Sequence, residues 1–230
     1  MKHWAAAWAV ALALPAAMPS AAAPFAVRLG LEKIVFDAPP GFSDTGDLAS
    51  PRLQELSESL TSASNRILVF ALTDADRRRF MNGDPIDAKR YMVAATPRGV
   101  ERDSMTGEQF AALVAESLRD IGKPPGAVDY LKYLDKQPHG KPSLLLDLKK
   151  EPALVSVLQG TRIPMPPSGG LFSEEKPPQY LFSTNTLLLI RGKALHLSIY
   201  ASYEGPADVA WLKSITERWV SDLQRLNSRP

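Results

Sequence analysis

The sequence predicts an α+β fold, a mostly antiparallel β-sheet covered by helices. Short apolar or alternating segments recur along the chain with brief turns between them, which favours antiparallel pairing. Other segments carry leucine and valine every three or four residues, the spacing of one helix face. The chain then closes with a hairpin over Tyr180 to Ser202 and an amphipathic helix opening at Pro206.

Taken in order, the first segment is an export signal rather than part of the fold. Lys2 and His3 make a short positive start, Trp4 to Leu14 is apolar and alanine-rich, and Pro15 and Pro19 precede the small residues Ser20, Ala21, Ala22 and Ala23. That is the order of regions in a secretory signal peptide. The apolar run is well short of the roughly 20 residues of a membrane span. Cleavage after Ala22 places Ser20 and Ala22 at the two small-residue positions, whereas cleavage after Ala23 would set Pro24 beside the scissile bond. The expected organisation is therefore a signal peptide over 1–22 and a single domain over 23–230. Its expected location is the bacterial periplasm, with full secretion as the alternative.

Lys33 to Ala38 reads as a strand halted by Pro39-Pro40-Gly41. Ser50-Pro51 supplies an N-cap and a first-turn proline, and Leu53, Leu56 and Leu60 line one face of the helix that follows. Arg66 to Thr73 is a continuous apolar run, a strand buried on both faces. Asp74 to Met81 forms a short helix ending at Asn82-Gly83, and Lys89 to Thr96 a further strand. Thr106 and Gln109 make a capping box for a helix carrying Phe110, Leu113, Val114, Leu118 and Ile121. A short helix is expected near Ala127 to Leu134, then strands over Ser143 to Lys149 and Ala153 to Gln159. Residues 163–179 hold five prolines and two glycines and read as a long loop, either a solvent-exposed excursion or a docking loop anchored by Leu171 and Phe172. Arg191-Gly192-Lys193 links the closing hairpin. In the last helix Val209, Leu212, Ile215, Trp219, Leu223 and Leu226 form a stripe that must face a core.

The 230 residues are 45% hydrophobic and 23% charged, a globular balance, and the net charge of +2 is too small for a nucleic-acid binder. The absence of cysteine excludes disulfides, thiolate nucleophiles, Cys-ligated metals and lipoprotein acylation. The domain must therefore be held by burial alone.

Candidate chemistry is thin. Asp44-Thr45-Gly46 matches the tripeptide of aspartic proteases, but that chemistry needs two carboxylates sharing a proton and there is no second copy. The tripeptide reads instead as a polar turn capping the next helix. Beyond the signal segment the histidines are His139, a turn residue, and His196, mid-strand with Ser198 and Tyr200 on one face. No Gly-x-Ser-x-Gly elbow accompanies either. Asp74 and Asp76 are too few oxygen ligands for calcium. Arg77, Arg78 and Arg79 are the densest basic run, an anion or headgroup patch with Phe80 and Met81 or a solvated helix face. Trp211 and Trp219 stand two turns apart, with core packing as the default.

Three stretches, one near the start and two at the end, carry a family likeness. IVFDAPPGFSD (Ile34 to Asp44), together with LLLIRGKALHLSIYAS (Leu187 to Ser202) and PADVAWLKSITERWVSDL (Pro206 to Leu223), resembles the opening and ending of PsbP-like α/β/α sandwich domains, including exported bacterial proteins similar to DcrB. The likeness implies a non-catalytic accessory or assembly protein and assigns no binding residue. The expectation is therefore an envelope protein that binds another protein or an envelope ligand, without cofactor, metal or nucleic acid. Its candidate contacts are Leu171, Phe172, Arg77, Arg78 and Arg79, and the alternative is a periplasmic hydrolase using carboxylates under the proline loop as a lid.

Overall fold

The computed structural model describes residues 23–126, 129–164 and 178–228. The expected signal segment, part of the short helix expected near 127 and most of the proline loop, including Leu171 and Phe172, lie outside the described residues.

A hairpin of β1 (Phe25–Leu29) and β2 (Glu32–Phe36) stands as its own two-stranded sheet. The main sheet is built from β3 (Phe42–Asp44), β4 (Asn65–Thr73), β5 (Arg90–Pro97), β6 (Ser143–Glu151), β7 (Leu154–Arg162), β8 (Tyr180–Ile190) and β9 (Lys193–Ser202). Their order is β3-β4-β5-β9-β8-β7-β6, antiparallel throughout. The helices are α1 (Pro51–Ser59), α2 (Asp74–Met81), α3 (Gly107–Leu118), α4 (Tyr130–Leu134) and α5 (Pro206–Asn227). The α+β reading of the sequence is what the chain adopts.

Local chemistry explains the boundaries. Thr106 Oγ1 accepts the Gln109 N–H at 3.3 Å while Gln109 Oε1 accepts the Thr106 N–H at 2.8 Å, a complete capping box for α3. Thr73 Oγ1 accepts the Asp76 N–H and opens α2 directly from the end of β4. Asp208 Oδ2 accepts the N–H groups of Glu204 and Gly205, fixing the start of α5. The link between β8 and β9 is two residues, Arg191 and Gly192, at φ of 50° and 73°. That left-handed pair suits the strand twist, and Lys193, expected in the link, instead begins β9.

Helices cover both sheet faces. On one face α5 lays Leu212, Trp219, Val220 and Leu223 onto Phe182, Leu188, Leu195, Leu197 and Ile199, with α4 and the β1–β2 hairpin completing the core. Asn227 ties that hairpin down: its Oδ1 accepts the Val35 N–H and its Nδ2 donates to Val35 O, both at 2.8 Å. Trp219 Nε1 donates to Asp37 O at 2.9 Å. On the other face two separate apolar clusters form. One gathers Leu53 and Leu56 of α1 and Phe80 of α2 over Phe70, Leu72 and Val93. The second sets Phe110 and Val114 of α3 against Val155 and Ala194.

Candidate functional site

Strand lengths create the most distinctive feature. β4 runs from Asn65 to Thr73, but β3 pairs only with Ala71, Leu72 and Thr73. Just past that point Phe70 is capped by the Asp44-Thr45 turn rather than by a strand. Asp44 Oδ1 accepts the Phe70 N–H at 3.0 Å, and the Thr45 N–H and hydroxyl both donate to Phe70 O. At the other end Arg98 Nε donates to Asn65 O. Between these stoppers the outer flank over residues 66–69 has no strand beside it, and Leu68 is the bulged residue of the β4–β5 pairing. A groove of about 930 Å³ runs along this flank, walled by Ser50, Leu53, Gln54, Ser57 and Glu58 of the α1 region. The opposite sheet edge, β6, is blunted by two register shifts and by Lys149, Lys150 and Glu151.

A second groove, about 890 Å³, lies on the far side of the Asp44 turn. It brings together residues from two sequence motifs, Asp44 and Asp47 with Asp74, Arg77 and Arg78. None of the carboxylates is idle. Asp44 accepts backbone N–H groups on both oxygens, from Phe70 and from Gly46. Asp47 pairs with Arg77 at 2.6 Å, and Asp74 Oδ1 accepts the Ser43 hydroxyl at 2.7 Å. Burial pushes the Asp44 carboxyl up, and the N–H groups of Gly46, Phe70 and Thr45 offset part of that rise. The tripeptide thus works as the polar turn expected of it, but it caps a strand edge rather than the next helix.

The three arginines do not act as one patch. Arg77 pairs with Asp47, Arg79 pairs with Asp87 at 3.0 Å, and Arg78 is exposed on the rim of the second groove. Phe80 packs inward under α2 while Met81 remains exposed. Asp76 is buried, with its oxygens on the Thr73 hydroxyl and the Asp87 N–H.

His196 sits in a directed chain of hydrogen bonds on the sheet face between the two apolar clusters. Ser198 Oγ donates to Asn185 Oδ1 at 2.7 Å, and Asn185 Nδ2 donates to Gln159 Oε1 and to Ser183 Oγ. Because the Ser198 proton is committed to Asn185, the 3.3 Å contact with His196 Nε2 has the imidazole as donor. Burial lowers the His196 pKa to about 4. A serine whose proton points away from the imidazole is not an activated nucleophile. His139 is exposed on its turn.

Trp219 is buried in the core and Trp211 is covered by the Arg90 guanidinium, 4.2 Å from the ring centroid. Among the described residues no group of three or more His, Asp or Glu is placed to hold a metal ion, and no helix is long and apolar enough to cross a membrane. Sequence reasoning missed the open flank of β4. Its only sequence trace is the contrast between a long apolar strand and the polar tripeptide that pairs with its end.

The chain matches no protein-family model and no curated protein. Among solved structures it is similar to the Ran-binding protein Mog1p of Saccharomyces cerevisiae, with a TM-score of 0.40 and 14% identity over 88% of this chain and 93% of that one. It is also similar to a mutant of protein Mog1, with a TM-score of 0.37 and 14% identity over 89% and 93% of the two chains. At these scores neither likeness bears on function.

Proposed function

We propose that this is an exported protein of the bacterial envelope, periplasmic after removal of residues 1–22, that binds another protein or an envelope ligand without transforming it. The observation that carries the binding reading is the unpaired flank of β4 beside its groove, a place where main-chain groups stand ready for a partner. Export is supported by the positive, apolar and small-residue order of the first 22 residues. The PsbP-like and DcrB-like resemblance of the closing hairpin and helix supports an accessory or assembly role.

Two measurements test this. N-terminal sequencing of the periplasmic fraction is expected to start at Ala23, and a chain retaining residues 1–22 in the cytosol overturns export. The mature protein used as bait is expected to retain one defined partner in near-stoichiometric amount and chemically unchanged.

A second reading, a carboxylate-dependent hydrolase, draws on Asp44, Asp47 and Asp74 lining one groove. It predicts hydrolytic turnover by the purified protein that falls at least about a hundredfold in Asp44→Asn or Asp74→Asn. Turnover unchanged by both substitutions removes it.

A further inference from the structure

The geometry points to a specific occupant for the open flank of β4: an extended peptide segment of a partner protein, added antiparallel as a continuation of β3, with a basic residue at its leading end and an acidic residue at its trailing end. This rests on the binding reading above and gives the partner a direction and a charge pattern.

Direction follows from the pairing already present. β3 runs antiparallel to β4, with Phe42 opposite Thr73 and Asp44 opposite Ala71. A segment continuing that line meets Val69 first and Arg66 last, between the caps on Phe70 and Asn65. The free run over 66–69 is about 13 Å at 3.3 Å per residue, room for four or five residues of an added strand. Added strands take affinity from main-chain bonds and specificity from their side chains.

Charge sets which segment fits. At the leading end stands Asp44, which has no cation within ion-pair distance among the described residues and whose negative charge is already disfavoured by burial. At the trailing end stands Arg98, exposed and without a carboxylate partner among the described residues. The other charged groups of this groove are less available: Arg66 pairs with Glu101 at 3.4 Å, and Glu58 accepts from Gln54 Nε2 at 2.9 Å. The ends of the groove therefore carry opposite unpaired charges, and a segment with the complementary order relieves both.

A second copy of the chain fits less well. Antiparallel pairing of two flanks centred between Ile67 and Leu68 would set residue 64 of the copy opposite Ala71, where Asp44 already pairs. A free peptide avoids that collision.

The test uses two blocked hexapeptides with one core, Lys-Thr-Val-Thr-Val-Glu and Glu-Thr-Val-Thr-Val-Lys, titrated to millimolar concentration into isotope-labelled protein 23–230. The Lys-first peptide is expected to shift the amides of 66–70 and to bind about fivefold tighter than its charge-reversed counterpart. In Arg98→Glu that preference is expected to vanish or invert. The site is exposed, and an unchanged amide spectrum elsewhere establishes that the variant folds. Equal affinity for both peptides overturns the proposal. So do shifts centred on β6, no shifts at millimolar peptide, or concentration-dependent dimerisation without peptide. If the peptides fail while wild type and Arg98→Glu retain the same periplasmic partner, binding stands and this flank is not where it occurs. If no partner is retained, the broader reading falls.

Discussion

His196 shows how a single side chain can be read wrongly from its chemistry and correctly from its neighbours. A histidine two residues from a serine invites a catalytic reading, yet Ser198 gives its proton to Asn185 and the imidazole serves as a donor. Burial lowers its pKa from the ordinary 6.5 to about 4. The folded protein therefore binds fewer protons than the unfolded chain between those values, and stability falls as pH drops through that window. Above pH 6.5 the contribution is complete. Its full loss is about 3 kcal/mol, since each tenfold change in proton affinity is worth about 1.4 kcal/mol. His196→Gln keeps a hydrogen-bonding group and removes the titration, so its urea midpoint is expected to change less between pH 7 and pH 4 than that of the wild type. Asp44 and Asp37, both raised by burial, act in the opposite sense, with stability regained as they protonate. They are common to both proteins and cancel in the comparison. An equal acid slope in the variant would show that His196 titrates freely.

Among the elements, those that carry their own periodicity, cap or stop signal could be read from the chain, α2 over Asp74–Met81 included. The stripe of α5 is one such case, and so are the capping box of α3 and the apolar run of β4, because each carries its own periodicity or cap. β1 and β3 escaped notice: β1 alternates weakly, and β3 is three residues whose pairing depends on where β4 lies. The helix expected to carry Leu53, Leu56 and Leu60 on one face stops at Ser59, and Leu60 is its C-cap. Packing within an element is equally invisible in a sequence. Gly160 of β7 faces the α4 side of the sheet, where an added Cβ would lie 2.7 Å from Leu134 Cδ1 and 2.9 Å from both Leu145 Cδ1 and Phe182 Cε1. Gly160→Ala is expected to cost roughly 1–3 kcal/mol through overpacking, measurable by chemical denaturation. A neutral result would mean that α4 shifts to make room.

At the scale of the whole molecule, α5 and the closing hairpin organise everything else. Arg191 Nε donates to Asn227 O and its Nη1 to Lys33 O, so the β8–β9 turn, the end of α5 and the N-terminal hairpin meet at one place. Asn227→Ala removes both bonds to Val35. It is expected to cost about 1–3 kcal/mol and to speed amide exchange in β1 and β2 well beyond that of β8 and β9. Uniform exchange across both sheets would show that the hairpin does not open separately. The proposed binding flank belongs to this scale too. It arises from a difference in length between two strands that topology makes neighbours, a relation that no local window of sequence contains.

The same junction dictates an order of events. Val35 and Asn227 are 192 residues apart, so a chain emerging from its N-terminus presents β1 and β2 long before the helix that receives them exists. Contacts between such distant residues must wait for loop closure and slow the search for the native state. β1 and β2 therefore wait for α5, and their apolar side is covered only after that contact closes.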